Sequence, residues 1–209
     1  MRVGIAGYGV VGKTRHRSIE SNTPYQITAI SESSEEARKS IPAGIKIYND
    51  YKSLIASADI DVIFISLPNL FAAEAACLSL QRGLHVFCEK PPARTHGELL
   101  EVEKQSLKFP ELKLMYGFNH RFHHSVEEAK ALIDSNSLGQ LINMKGVYGK
   151  SQMISFNQTD WRTNREASGG GILLDQGIHM LDLMRYLSGE SFTEVFSIID
   201  NAFWNFDVE

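Results

Sequence analysis

The clearest candidates for chemistry lie in one stretch, where Asp175 and His179 stand four residues apart and Asp182 follows three residues later. On a helix this spacing places the three side chains on one face, and the rest of the stretch is mostly apolar. Histidine exchanges a proton near neutral pH, and Asp175 could orient it or a substrate hydroxyl. A histidine satisfied inside the core is one alternative. A metal site of the same three residues is weaker, because no other His or Cys cluster has supporting spacing.

A lysine follows a predicted strand in Glu89-Lys90-Pro91-Pro92. Two prolines restrain it beside a glutamate, so it would present a fixed cation able to polarise a hydroxyl or carbonyl group. Surface charge is the alternative. A second turn, Ser66-Leu67-Pro68-Asn69, follows the neighbouring predicted strand. Because open α/β sheets keep their ligand crevice beyond the carboxyl ends of the strands, we expect both turns to face that crevice.

The third segment is the loop Gly7-Tyr8-Gly9-Val10-Val11-Gly12, a Gly-x-Gly-x-x-Gly pattern between a predicted strand and a predicted helix. Gly7 would permit the tight turn, Gly9 would let the backbone approach a pyrophosphate, and Gly12 would let the helix pack on the sheet. The N–H groups at the start of the helix would bind the phosphates. A purely structural turn is the alternative.

Glu32 lies about 20 residues beyond Gly12, where a dinucleotide-binding fold places an acid on the adenosine ribose. A carboxylate there would repel a 2′-phosphate, which favours NAD over NADP. NADP stays open, because Ser31, Ser33 and Ser34 could hydrogen-bond a phosphate and Arg38 is not far away. A solvated charge is the other interpretation of Glu32.

Alternating apolar runs and helical patterns surround these segments and predict a doubly wound parallel sheet. Helices are predicted over 11–21 and 71–82, and a third opens with Thr95 and Glu98 in capping-box spacing. Beyond residue 120 the pattern predicts a helix over 125–134, a polar loop over 149–168 and an apolar helix over 172–187. Strands are predicted over 2–6, 26–31, 46–48, 62–66, 85–88, 112–118 and 141–148, with a β-rich stretch over 194–209. We therefore expect two domains, 1–120 for the dinucleotide and 121–209 for the substrate.

The 209 residues carry a net charge of −4, which offers no electrostatic footprint for nucleic acid. The one basic run, Lys13, Arg15 and Arg17, is interpreted as a solvated helix face. Cys77 and Cys88 are too few for a disulfide framework and are expected to be small buried side chains in a reducing compartment. No run reaches the roughly 18 apolar residues of a membrane span, and the first predicted strand leaves no room for a signal peptide. A cytoplasmic protein is expected.

Together these segments resemble the Gfo/Idh/MocA family, the oxidoreductases related to glucose-fructose oxidoreductase and inositol dehydrogenase. The resemblance covers essentially the whole chain, and all of the motifs occur in the family's order. They are the glycine loop, the Leu-Pro-Asn turn, Glu89-Lys90-Pro91, Gly117-Phe118-Asn119-His120-Arg121-Phe122, Asp160-Trp161-Arg162, and the triple glycine 169–171 followed by Asp175 and His179.

The resemblance implies an N-terminal Rossmann domain and a C-terminal α/β domain whose open mixed sheet often forms an oligomer interface. Lys90, Asp175 and His179 match the family's catalytic positions. Positions that commonly line the cofactor site are matched by Glu32, Asn69, Asn119, Trp161 and Arg162. We expect further cofactor contacts from the two turns and the loop already described, namely Gly7, Tyr8, Gly9, Val10, Val11, Gly12, Ser66, Leu67, Pro68, Glu89 and Lys90.

The sequence departs from the family pattern in two ways. Ala72 stands where the family often has a histidine near the cofactor. Family members also usually continue well past the equivalent of Glu209, so the second domain is interpreted as C-terminally truncated and incomplete.

We expect an NAD(P)-dependent oxidoreductase that acts on a secondary alcohol of a sugar, cyclitol or nucleotide-sugar and forms a homo-oligomer through the second-domain sheet. No metal, nucleic acid or membrane partner is expected. The alternatives are a regulator that binds a dinucleotide or sugar without turnover, and an inactive truncated family member.

Overall fold

The computed structural model describes residues 1–149, 161–200 and 206–209. The chain divides into two compact units, Met1–Gly117 and Phe118–Glu209. Each unit has its own arrangement of elements. Within the described residues, no helix combines the length and the apolar character needed to cross a bilayer.

The first unit is built on one sheet of six parallel strands in the order β3-β2-β1-β4-β5-β6. The predicted doubly wound sheet is confirmed, with ends that differ from prediction by one or two residues. Strand order reverses between β1 and β4, and open sheets of this kind form their ligand crevice at that point. The strands are β1 (Arg2–Ala6), β2 (Gln26–Ser31), β3 (Lys46–Tyr48), β4 (Val62–Ile65), β5 (His85–Cys88) and β6 (Leu114–Tyr116).

Local capping determines where several helices of this unit begin and end. The Thr95 side chain accepts a hydrogen bond from the Glu98 N–H, as the capping-box spacing predicts. Asp50 caps its helix in the same way, with Ser53 N–H as donor. Gly83 has a φ of +84° just past the end of another helix, where glycine avoids a steric penalty. The helices are α1 (Val10–Asn22), α2 (Glu35–Arg38), α3 (Tyr51–Ser57), α4 (Asn69–Gln81) and α5 (His96–Lys108).

Apolar side chains cover the sheet in two separate clusters. Ile5 and Ile30 belong to the cluster that includes Ile19 of α1. Cys88 belongs to the other cluster, where complete burial raises the pKa of its thiol. Cys77 is half-buried against the same cluster, so both cysteines act as small packing residues. Fully burying an Ile side chain stabilises the fold by about 1.5–3 kcal/mol, so these clusters hold the sheet in place.

The described part of the second unit consists of helices and irregular segments. A π-helical turn, Leu173–Gly177, precedes the helix α8 (Ile178–Ser188) and interrupts the single helix predicted over 172–187. Short 3₁₀ turns occupy Asn119–Phe122 and Trp161–Thr163. The α-helices are α6 (His124–Asp134), α7 (Arg165–Ser168) and α8 (Ile178–Ser188).

The strand predicted over 141–148 is wrong, because these residues are irregular and no described segment of this unit pairs with them. Their backbone packs over α8 instead, and a Cβ placed on Gly146 would lie 2.9 Å from Met180 Sδ. The β-rich stretch predicted over 194–209 is likewise absent from its described residues. Alternating apolar residues form a strand only where a neighbouring backbone is available for hydrogen bonding. Residues 150–160 of the predicted polar loop lie outside the described residues.

Candidate functional site

The glycine loop follows β1 at the point where strand order reverses. Gly7 has a φ of +89°, and a Cβ there would lie 2.5 Å from the Ser66 carbonyl oxygen. A Cβ on Gly12 would lie 2.0 Å from the Gly7 carbonyl oxygen, so only glycine permits this close packing of loop and helix. A Cβ on Gly9 would meet no atom within 4 Å. The loop is therefore tightly packed on its protein side and open at Gly9, as a phosphate cradle requires.

Glu32 lies directly after β2 and is bonded to the glycine loop. Its Oε2 accepts a hydrogen bond from Tyr8 N at 2.8 Å, and its Oε1 accepts one from Ser34 N at 2.8 Å. The Ser34 hydroxyl caps α2, and the Arg38 guanidinium donates to the Asn49 side chain. The carboxylate is thus held at the edge of the crevice, while two side chains that could recognise a phosphate have protein partners.

Behind the loop, Tyr8 and His16 form a buried pair that sequence reasoning missed. The Tyr8 hydroxyl and His16 Nδ1 lie 3.0 Å apart, and burial raises the pKa of Tyr8. His16 Nε2 lies 3.1 Å from the Glu20 carboxylate. Gly12, His16 and Ile19 are the buried residues of α1, and their helical spacing is the sequence signal that could have placed His16 on the buried face. This pair joins the glycine loop to the middle of α1.

The turn at 66–69 links β4 to α4. Ser66 N donates to the Ala6 carbonyl oxygen at 2.8 Å, so the turn lies beside the glycine loop. Asn69 begins α4 and is buried. Ala72, the first departure from the expected family pattern, is buried in the same helix. The structure thus places this turn, one of the two expected to face the crevice, next to the glycine loop.

Glu89 and Lys90 follow β5 at the same edge of the sheet. Glu89 N donates to the Ile65 carbonyl oxygen at 2.9 Å, and the following Lys90–Pro91 peptide is cis. The Glu89 carboxylate pairs with Arg15 of α1 at 2.6 Å. Arg15 also lies over the Phe87 ring, 5.0 Å from its centroid. The interpretation of Arg15 as part of a solvated basic face is therefore wrong, because it turns toward β5.

In the second unit, His179 is 4% exposed in α8 and is surrounded by rings. The His120 imidazole stacks on it with centroids 3.9 Å apart and an interplanar angle of 17°. Phe118 meets His179 edge-on at 6.1 Å, and the Tyr148 ring lies nearly parallel to both imidazoles, 5.8 Å from His120 and 6.4 Å from His179. Sequence reasoning predicted His179 and missed this stack. His123 and His124 are exposed.

The two acids near His179 have different environments. Asp182 is 10% exposed and accepts two hydrogen bonds from Arg121, at 2.8 and 2.5 Å, which raise the Arg121 pKa. Asp175 lies in the π-helical turn, where its N–H donates to the Gly171 carbonyl oxygen and its carboxylate accepts from Gln176. Asp182 is therefore engaged in an ion pair. Among the described residues, no group of three His, Cys, Asp or Glu side chains could hold a metal ion.

Three other predicted cofactor residues lie in the second unit. Asn119 begins the 3₁₀ turn Asn119–Phe122. Trp161 and Arg162 share the 3₁₀ turn Trp161–Thr163, with the guanidinium over the indole at 4.4 Å. The predicted site residues thus fall into a set on the first unit, which includes Lys90, and a set on the second, which includes Asp175 and His179.

The sheet order, the glycine loop and the acid that follows β2 are typical of a dinucleotide-binding α/β protein. The family described as "Oxidoreductase family, NAD-binding Rossmann fold" matches residues 1–117, and the "GFO/IDH/MocA C-terminal domain" matches residues 126–209. The chain belongs to the GFO/IDH/MocA family of oxidoreductases, which confirms the resemblance found in the sequence.

Relatives of known activity agree with this assignment. Levoglucosan dehydrogenase of Pseudarthrobacter phenanthrenivorans is 34% identical over 68% of this chain and 36% of its own length. D-glucoside 3-dehydrogenase of Escherichia coli is 29% identical over 90% of this chain and 54% of its own. The structure of myo-inositol 2-dehydrogenase from Lactobacillus plantarum matches with a TM-score of 0.82 and 29% identity, over 90% of this chain and 56% of its own. The chain spans about one third to just over half of these proteins.

Proposed function

We propose that this chain functions as an NAD-dependent oxidoreductase that interconverts a secondary alcohol of a sugar or cyclitol and the corresponding ketone. The observation that carries the proposal is the glycine loop, open at Gly9 and bonded through Tyr8 N to the Glu32 carboxylate, at the point where strand order reverses. The sugar and inositol dehydrogenases among the relatives support this class of substrate.

The first unit would hold the coenzyme. The N–H groups at the start of α1 would bind the pyrophosphate, Glu32 the adenosine ribose, and the turns at 66–69 and 89–90 the nicotinamide half. Asn119, Trp161 and Arg162 of the second unit are also proposed as coenzyme-binding residues. When bound, NAD supplies the nicotinamide carbon that accepts a hydride.

Glu32 would make NAD the preferred coenzyme. Its carboxylate is already bonded to the glycine loop, where it would repel a 2′-phosphate. Arg38 and Ser34, which could recognise that phosphate, are bonded to Asn49 and to α2. Glu32→Ala should lower the ratio of NADPH to NADH dissociation constants by about tenfold. An unchanged ratio would remove Glu32 from the choice of coenzyme.

Three side chains would act on the substrate. His179 would accept the hydroxyl proton as general base, because imidazole exchanges a proton near neutral pH. Lys90 would stabilise the negative charge that develops on the substrate oxygen, and Asp175 would orient neighbouring hydroxyls. Arg121 supports this assignment, because it engages Asp182 and so separates that acid from the reaction.

We also infer the organisation of the protein. Residues 1–120 would form the coenzyme domain and 121–209 part of the substrate domain. Exposed apolar side chains of the second unit, such as Ile142 and Phe196, support a homo-oligomer. Two free cysteines support a cytoplasmic location.

The test is the appearance of the reduced-nicotinamide absorbance with NAD and a panel that contains myo-inositol, glucose, a glucoside and a nucleotide-sugar. Lys90→Ala should lower turnover by about 100-fold or more while NADH still binds. The control is Lys113→Ala, since Lys113 is exposed at the opposite end of the sheet, before β6. NADH binding without turnover by the unaltered chain would favour the regulator, and full turnover by Lys90→Ala would refute the role of that lysine.

A further inference from the structure

We propose that Arg15 and Glu89 form a positioning pair that fixes the backbone carrying Lys90 to the helix that follows the glycine loop. The inference rests on the function proposed above, because it assigns the pair a purpose through Lys90. It concerns residues of the first unit alone.

Arg15 is held from two directions. Its Nε donates to Glu89 Oε1 at 2.6 Å, and its guanidinium lies 5.0 Å from the centroid of the Phe87 ring. The Arg15 side chain is 25% exposed. A planar guanidinium that stacks on a ring while it donates to a carboxylate has one defined orientation, which a lysine reproduces only in part.

Glu89 is held as closely from its other side. Its side chain is 17% exposed, and a Cβ on Gly117 would lie 2.8 Å from its Oε2. Gly117 N donates to the Cys88 carbonyl oxygen at 2.8 Å, which brings the chain after β6 against the end of β5. The Glu89 carboxylate therefore fits between α1 and Gly117, with little room for another orientation.

This arrangement has a direct consequence for Lys90. The backbone enters Lys90 from a residue whose N–H is bonded to β4 and whose side chain is bonded to α1. Loss of Arg15 would leave a half-buried carboxylate next to Lys90, free to move toward the lysine ammonium group. Because small displacements of a catalytic group lower the rate steeply, the pair should affect turnover more than coenzyme binding.

The experiment follows Lys90 directly. Lysines of the full chain are dimethylated with ¹³C-formaldehyde and a borane reductant, and the Lys90 methyl resonance is assigned by its loss in Lys90→Arg. Arg15→Gln should move this resonance and lower kcat about tenfold, with KM for NAD within about twofold. Arg15→Lys should bring both the Lys90 resonance and kcat part of the way back to their values in the unaltered chain. Arg17→Gln is the matched control, since Arg17 is exposed on the same helix and its loss should change neither.

The outcomes separate the two proposals. A Lys90 resonance and a kcat in Arg15→Gln equal to those of Arg17→Gln would overturn the positioning role. A moved resonance in a chain that shows no turnover at all would support the pair and contradict the proposed function. Should Arg15→Gln fail to fold, Arg15→Gln/Glu89→Gln removes both charges. That double variant should still move the resonance, and an unmoved resonance would also overturn the proposal.

Discussion

The glycine loop of the first unit and the ring stack around His179 in the second unit are built in different ways. In the loop, backbone atoms make the contacts, and the Gly12 position has no room for a methyl group. Around His179, side chains from residues 118, 120 and 148 make the contacts. A single added methyl group should therefore destabilise the glycine loop. The stability of the region around His179 should instead depend on which of the surrounding ring side chains are retained.

The largest expected effect is at Gly12. A methyl group in Gly12→Ala would overlap the Gly7 carbonyl oxygen, so this variant should lose about 3 kcal/mol of unfolding free energy and bind no NADH. Urea denaturation and an NADH fluorescence titration measure both.

Gly9→Ala is the matched variant, since its methyl group meets nothing within 4 Å. It should keep its stability within about 0.5 kcal/mol, because an unobstructed surface substitution changes little. NADH should nevertheless bind about tenfold more weakly, since the methyl group occupies the space open to the pyrophosphate. Equal losses of stability at Gly9 and Gly12 would break the distinction between the two sides of the loop.

The Asp182–Arg121 pair should give the next largest effect. Asp182→Asn removes a mostly buried charge partner and should cost about 1–3 kcal/mol in unfolding free energy. The control is Asp134→Asn, because the Asp134 ion pair with Lys130 lies on the surface and should contribute about 0.5 kcal/mol or less. Similar costs for the two variants would show that burial of the Asp182 pair is energetically unimportant.

The ring stack should give the smallest effect on stability. His120→Ala removes the ring that stacks on His179 and also contacts Tyr148, and it should cost about 1 kcal/mol, whereas His120→Phe should retain most of that stability. Chemical denaturation of both, with exposed His124→Ala as control, measures the difference. Equal losses of unfolding free energy in His120→Phe and His120→Ala would show that ring contacts do not stabilise this region.

The sequence predicts features that short-range rules determine. The sheet follows from apolar runs, the first turn of α5 from Thr95 and Glu98, and the glycine loop from its spacing. Each depends on residues close together in the chain or on the fixed geometry of parallel strands.

Contacts between distant segments escaped prediction for a physical reason. Arg15 meets Glu89 across 74 positions, and Arg121 meets Asp182 across 61, so neither pair leaves a local spacing signal. The segment 141–148 is predicted as a strand, but it packs against α8. Side-chain pattern specifies which face is apolar, whereas the presence of a neighbouring strand is a property of the whole fold.

The most direct test of the account is to separate coenzyme binding from proton transfer with His179→Ala. In the proposed function, the glycine loop binds the coenzyme and the His179 imidazole accepts the proton. The variant should bind NADH within about twofold of the unaltered chain and lose about 100-fold or more of its alcohol oxidation rate, a loss typical of a removed general base. Undiminished oxidation, or loss of NADH binding in a variant that remains folded, would contradict the account.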